Sequence, residues 1–365
     1  MPGVYISYPF CAQKCTYCNF ASGVFPRELE PRYVNTIVSE IARHRWPWQP
    51  ETVYLGGGTP SAMASEDLDR ILSTVPGRGH WKEGTLEVAP GGITLERATA
   101  WVAAGINRVS LGVQSFVQRE LARTGRKHTA EMVANEIGTL RSADVNNINI
   151  DLIAGLPGQT RASWAESLSW IERLKPPHVS VYMLEIDEDS RLGSEVLLNG
   201  KRYGAPDVPS DELTSEFYQA AVERLSSFGI HRYEISNFAR PGFESLHNLK
   251  YWQLEPYAGF GADAHSFDGL VRGQNIESPS EYVERIESGN SASIDATPAN
   301  AAEERFFVGL RLTRGIQPRA EEWIKYQQPI RRFIDEGLLA REGSSLRLTD
   351  RGVLFSNEVF AEFIT

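Results

Sequence analysis

The sequence predicts an α/β fold: a partial, TIM-like (β/α)6 barrel followed by a C-terminal winged-helix-like α+β domain. Three observations predict it. Short apolar strand patterns alternate with helical patterns six times between residues 4 and 184, which argues for a parallel sheet with crossover helices. The unusual residues of that region fall at or after strand ends, where parallel barrels gather their functional groups. After residue 300 the pattern changes to short helices, a hairpin and a last helix.

Taken in order, Val4–Tyr8 reads as the first strand, and Pro9 stops it. A loop bearing Cys11, Cys15 and Cys18 follows at once. Pro31 opens a helix to about Arg45, with Val34, Ile37, Val38 and Ile41 at helical spacing. Thr52–Leu55 is the second strand and runs into Gly56-Gly57-Gly58-Thr59-Pro60, with a helix near Ser65–Val75. Thr85–Ala89 is the third strand, before a helix over Thr94–Ala104. Arg108–Gly112 is the fourth, followed by helices near Val117–Thr124 and Ala130–Ala143. Asn147–Ala154 is the fifth and opens into Gly155-Leu156-Pro157-Gly158-Gln159. A helix over Arg161–Leu174 leads to the sixth strand, His178–Leu184.

Residues 185–209 carry few periodic apolar positions and read as a connection, and Leu213–Phe228 as an amphipathic helix. Residues 257–298 are rich in Gly, Ser, Pro and Asp and read as loops. Glu303–Leu312, Ala320–Tyr326 and Ile330–Glu336 read as helices, Leu346–Thr349 as part of a wing hairpin, and Asp350 as the cap of a last helix to about Phe363. The expected division is a barrel over 1–185, an extension and linker over 186–300, and the winged-helix-like domain over 301–365.

Composition excludes some function classes. No apolar run approaches the roughly 18 residues that span a bilayer, and Met1 stands only a few residues before the first strand, so no signal peptide is expected. Three cysteines without a disulfide framework fit a reducing cytoplasm. A net charge of −10 argues against nucleic-acid backbone binding. The last module holds 10 Lys/Arg against 10 Asp/Glu, a poor balance for a DNA-binding winged helix. It reads as a packing or partner domain.

All three cysteines of the chain lie in Cys11-Ala12-Gln13-Lys14-Cys15-Thr16-Tyr17-Cys18. Thiolates are soft ligands suited to iron–sulfur clusters. A four-iron cluster usually takes four thiolates, so three leave one iron free for a small molecule. A zinc site would need a fourth ligand, and no His or Asp stands nearby in sequence. Around the loop, Gly56–Gly58 let backbone approach a ligand closely, or form a glycine-rich turn. Glu87 and Asp151 are acceptors suited to ribose hydroxyls or an ammonium, or else solvated strand-end carboxylates. Gln114 and Arg126 suit a carboxylate or a ribose, and Tyr17 suits an adenine face. Further on, His247-Asn248-Leu249-Lys250-Tyr251-Trp252 puts a potential iron ligand beside aromatic rings that could stack on a macrocycle; a packed core histidine is the plainer reading.

The C-x3-C-x2-C loop resembles the signature of the radical S-adenosylmethionine (radical SAM) enzymes. Over nearly the whole chain the sequence is similar to the coproporphyrinogen III oxidase-like family, and within it to its haem-chaperone branch. Tyr5–Cys11, Gly56–Ser61, Arg108–Phe116, Gly125–His128, Asn149–Thr160, Tyr233–Ala239 and the C-terminal Leu-Arg-Leu-Thr-Asp-Arg-Gly carry the resemblance. It implies a 4Fe-4S cluster on Cys11, Cys15 and Cys18, and SAM surrounded by Tyr5, Tyr17, Gly57, Gly58, Thr59, Glu87, Gln114, Arg126 and Asp151. It also implies haem at His247, delivery to haem-accepting proteins, an electron donor, a homodimer and a transient association with a membrane surface. Phe20 stands where the oxidase has a further cysteine, and no N-terminal extension precedes the first strand. Ser7, Ala89 and Thr124 depart from the usual His, Asn and Leu of relatives. Those departures keep open a second expectation, a radical SAM methyltransferase or related enzyme; coproporphyrinogen decarboxylation is the third.

Overall fold

The structure, a computed structural model, describes residues 2–364. Six parallel strands pair in chain order: β1 (Gly3–Tyr8), β2 (Thr52–Gly57), β3 (Glu83–Val88), β4 (Arg108–Gln114), β5 (Asn147–Ala154) and β6 (His178–Met183). Helices α1 (Leu29–Arg43), α2 (Ser65–Thr74), α3 (Leu95–Ala103), α4 (Gln118–Arg123), α5 (Ala130–Ser142) and α6 (Arg161–Leu174) make the crossovers. This is the α/β architecture expected from the alternation, with an open sheet in place of a closed barrel.

Register explains the division between a dry layer and a polar interior. Successive side chains of a strand point to opposite faces. Ile6, Leu55 and Leu86 are aligned, as are Val109 with Ile148 and Leu152 with Val181. All are buried with apolar faces of the helices such as Val34, Ile37 and Ile41 of α1. The alternate row is Tyr5, Tyr54, Glu87, Ser110, Asp151 and Tyr182. It faces the concave interior, where a polar side chain needs either a partner or a ligand.

The sheet continues past both edges. β7 (His231–Arg232) and β8 (Asn237–Ala239) extend it antiparallel beyond β6, after helices α7 (Arg191–Leu197) and α8 (Asp211–Ser227). Helix α9 (Leu246–Trp252) then leads to β9 (Tyr257–Phe260), which adds parallel to β1. β10 (His265–Phe267), β11 (Val271–Asn275) and β12 (Ser293–Pro298) follow antiparallel, with α10 (Pro279–Glu287) between the last two. This corrects the loop expectation for 257–298. The strands are short and glycine-containing, and the composition hides them. A Cβ at Gly259 would stand 2.1 Å from the His265 carbonyl oxygen, so close strand packing requires that glycine. The 185–209 connection also contains α7.

The C-terminal module consists of α11 (Ala301–Phe307), α12 (Ala320–Lys325), α13 (Gln327–Asp335), the hairpin β13 (Leu339–Glu342) with β14 (Ser345–Leu348), α14 (Asp350–Leu354) and α15 (Ser356–Ala361). Its core is aromatic: the Phe306 and Phe363 rings stack 4.5 Å apart, with Tyr326 4.6 Å from Phe306. No described helix is long and apolar enough to cross a membrane.

Candidate functional site

A cavity of about 670 Å³ opens at the carboxyl ends of the six parallel strands. Its wall includes Cys11, Cys15, Cys18, Tyr17, Gly57, Gly58, Thr59, Glu87, Gln114, Arg126 and Asp151. Eleven of the twelve residues expected around cluster and SAM thus share one space. The exception is Tyr5, which does not line it. Tyr5 stacks at 6.1 Å on Tyr54, whose ring does line the cavity.

The cysteine loop is held by backbone. Cys11 N–H donates to Gly23 O at 2.8 Å, and Gly23 N–H to Pro9 O at 2.9 Å. From the other side α7 and the turn before it clamp it: Leu192 N–H donates to Thr16 O at 2.8 Å, Arg191 to the Lys14 carbonyl, and Asn19 to Asp187, ahead of the helix, at 2.7 Å. Burial pushes the Cys11 thiol up, while hydrogen bonds from Thr59 and Ser22 draw it down. Among the described residues no three His, Cys, Asp or Glu side chains are gathered to hold one metal ion. The loop offers three soft thiols on one wall, a donor set that fits an iron–sulfur cluster.

The glycine turn is dictated by the protein itself. A Cβ at Gly58 would stand 2.6 Å from the Phe10 carbonyl oxygen, and Gly57 has φ +108°. Gly58 N–H donates to Tyr8 O at 2.7 Å and Thr59 N–H to Phe10 O at 2.9 Å. Gly57 N–H donates to Glu87 Oε2 at 3.1 Å. The turn thereby locks onto the cysteine loop, and these amides are committed to protein acceptors.

Two carboxylates face the cavity. Glu87 also accepts from Tyr54 Oη at 2.8 Å. Burial and the nearby Asp151 push its carboxyl up to about 7, against the pull of those hydrogen bonds. Asp151 accepts from Asn149 Nδ2 at 2.7 Å and Ser110 Oγ at 3.2 Å; burial raises it as well. Across from them, Arg126 donates from Nε to Tyr17 Oη at 3.2 Å and from Nη1 to Gly112 O at 2.7 Å. Gln114 sits at φ +70°, where the β4–β5 register shifts between Leu111 and Gln114. A left-handed non-glycine residue at a bulge is a costly conformation that redirects a side chain, and such residues cluster at functional sites. Chemically, the wall can hold a cation against two carboxylates and an anion against a guanidinium.

The departures Ser7, Ala89 and Thr124 differ in position. Ala89 lines the cavity. Ser7 is buried and stands beside Gly57. Thr124 is buried and its carbonyl accepts from Thr16 N–H at 3.4 Å, so it supports the cysteine loop.

His247 is elsewhere. It lies on α9 against the amino ends of β1–β3, opposite the cysteine face. It is 1% exposed. Its Nδ1 meets Thr52 Oγ1 at 2.8 Å and its Nε2 meets Tyr251 Oη at 2.8 Å. Glu83 anchors the helix start, accepting from Leu246 N–H at 2.7 Å and His247 N–H at 3.0 Å. Burial, with Lys250 and Arg108 nearby, lowers the imidazole to about 3. The sequence expectation places haem at His247; in this structure both of its ring nitrogens are engaged by the hydroxyls of Thr52 and Tyr251.

Sequence reasoning missed Tyr54, Ser110 and Tyr182 in the wall. They share the inward row with Glu87 and Asp151, so strand alternation carried the signal. It also missed Arg311 and Leu354–Glu358, which the C-terminal module brings to the cavity. No local pattern marks those.

The family model of the Radical SAM superfamily matches residues 5–171, and that of the HemN C-terminal domain matches residues 296–355. The chain is 32% identical to "Heme chaperone HemW" of Bacillus subtilis, with 100% of this chain and 99% of the relative covered. It is 31% identical to the protein of the same name from Lactococcus lactis, covering 99% and 96%. Among solved structures it is similar to coproporphyrinogen III oxidase (HemN) from Escherichia coli, with TM-score 0.83 and 21% identity over 100% of this chain and 90% of that one, a likeness of fold. The chain belongs to the radical SAM superfamily and, within it, to the HemN-like family that includes the HemW proteins.

Proposed function

We propose that the protein is a radical SAM haem chaperone: it holds a 4Fe-4S cluster and SAM in the cavity and carries haem as cargo for acceptor haemoproteins. The observation that supports it most is the meeting of three thiols, two carboxylates, Arg126 and Gln114 in one cavity, in a chain whose full-length relatives are named haem chaperones.

Cys11, Cys15 and Cys18 would hold the cluster as thiolates, so loading releases protons from the loop. When bound, such a cluster supplies an electron to SAM, chemistry that belongs to the cofactor. The residues do the rest. Glu87 and Asp151 would accept from ribose hydroxyls or face the cationic end of SAM. Arg126 fixes a carboxylate and is itself aimed by Gly112 and Tyr17. Gly57, Gly58 and Thr59 lock the turn onto the cysteine loop and so shape the wall. Haem is carried as cargo rather than as a resident cofactor.

The test is anaerobic reconstitution with iron and sulfide, then separate addition of SAM and haem with absorption spectroscopy, then mixing with an apo-haemoprotein. The proposal expects haem uptake and its transfer to the acceptor. Haem that neither binds nor transfers would overturn it. The enzyme reading is favoured by one observation, that Ala89 leaves a departure from the family pattern on the cavity wall. Multi-turnover release of 5′-deoxyadenosine or S-adenosylhomocysteine with a substrate would support that reading instead.

A further inference from the structure

We propose that His247 is a positioning residue for the cavity: it acts through Tyr54 to hold the Glu87 carboxylate from behind, in place of ligating haem. This rests on reading the cavity as the SAM site.

The chain of contacts is short. The His247 and Tyr54 rings lie 5.2 Å apart at 30°. The same Tyr54 donates its hydroxyl proton to Glu87 Oε1 at 2.8 Å. Tyr54 also stacks on Tyr5, with ring centroids 6.1 Å apart. His247 thus packs against the ring whose hydroxyl points at Glu87.

His247 is itself tightly held. A neutral imidazole has one donor and one acceptor nitrogen, and hydroxyls of Thr52 and Tyr251 engage both. The start of β1 closes over it: a Cβ at Gly3 would meet His247 Cε1 at 3.1 Å. The backbone of α9 is pinned by Glu83 at the start of β3. An iron ligand must offer a free lone pair to a reachable metal. A ring with both nitrogens bonded and 1% exposure offers neither, whereas a rigid plate beneath Tyr54 needs both properties.

Removing the ring opens a hole under Tyr54 in a packed interior, and the hydroxyl that aims at Glu87 loses its support. Glu87 also faces Gly57 N–H from β2, Arg108 from β4 and Asp151 from β5, and those remain.

The experiment uses the full chain reconstituted without oxygen, as wild type, His247→Ala, Tyr54→Phe and the double variant. SAM affinity is read by equilibrium dialysis and hemin affinity by the Soret band. The pH midpoint of the protonated-carboxyl infrared band that Glu87→Gln removes is read in parallel. The expected loss of SAM affinity is about tenfold for each single variant, the value of one charge-assisted hydrogen bond. The double variant is expected to be no worse than the weaker single. The infrared midpoint rises in all three, and hemin affinity stays within about twofold of wild type, the scatter that no lost ligand bond would respect. Additive losses, an unmoved midpoint, or loss of hemin with SAM binding intact would overturn the proposal. If wild type bound no SAM while the midpoint still rose in His247→Ala, the SAM reading would fall and the positioning role would stand. Should His247→Ala not fold, His247→Asn, which retains a polar group toward Thr52, is read in the same three assays against the same outcomes.

Discussion

Raising the pH should tighten SAM binding, and Glu87 supplies the reason. Its carboxyl stands near 7 because burial and Asp151 disfavour its charge more than Tyr54 and Gly57 favour it. Below that value the free cavity holds a neutral acid, and a sulfonium or ammonium meets no charge from Glu87. Above it the carboxylate is ready. With a midpoint of about 7, about one-tenth of the sites are ionised at pH 6 and about nine-tenths at pH 8. Affinity that requires the ionised form therefore rises about tenfold between those values, or ~1.4 kcal/mol. Binding a cation releases the proton, so the bound form titrates lower. The assay is anaerobic equilibrium dialysis of SAM from pH 6 to 8, beside Glu87→Gln. The variant has an affinity close to that of protonated wild type and keeps only the slope that belongs to the amino group of SAM. Equal slopes in wild type and Glu87→Gln would refute the reasoning.

Other consequences are more direct. Replacing any one of Cys11, Cys15 and Cys18 by Ala removes a thiol from the loop, and iron retained after anaerobic reconstitution falls to near background by metal analysis. Gly58→Ala forces a methyl within 2.6 Å of Phe10 O and destabilises the chain by about 1–3 kcal/mol, read as a lowered urea midpoint, with the cysteine loop loosened and iron content reduced. Glu83→Ala strips the acceptor from Ser245, Leu246 and His247 at the start of α9; the cost is on the order of 3 kcal/mol by thermal or urea unfolding, because buried donors lose a charged acceptor together.

Much of this was legible in the sequence, for physical reasons. Strand and helix periods differ, so the six βα units stand out, and parallel winding carries their loops to one face. That is why residues as distant as Cys11, Glu87 and Asp151 could be placed together. Strand alternation also carried Tyr54, Ser110 and Tyr182, which share the inward row with Glu87. It could not reveal β9, since Tyr-Ala-Gly-Phe has little strand signature and joins the sheet because β1 offers an edge. Nor could it deliver Arg311 or Leu354–Glu358, brought to the cavity by packing of a module far along the chain. His247 is the instructive case. Its sequence neighbours left a packed core histidine as the plainer reading and the family resemblance implied haem, whereas its burial and two hydroxyl partners are supplied by tertiary contact. Tyr5 likewise sits one ring behind the wall.

The most direct test of the central claim is low-temperature electron paramagnetic resonance on the reduced, anaerobically reconstituted protein, with iron counted in the same sample. The account predicts about four irons per chain, as a single cubic cluster requires, and a signal that changes when SAM is added because one iron is open to it. Zinc in the cysteine loop, no metal at all, or a cluster signal that SAM leaves unmoved would contradict it.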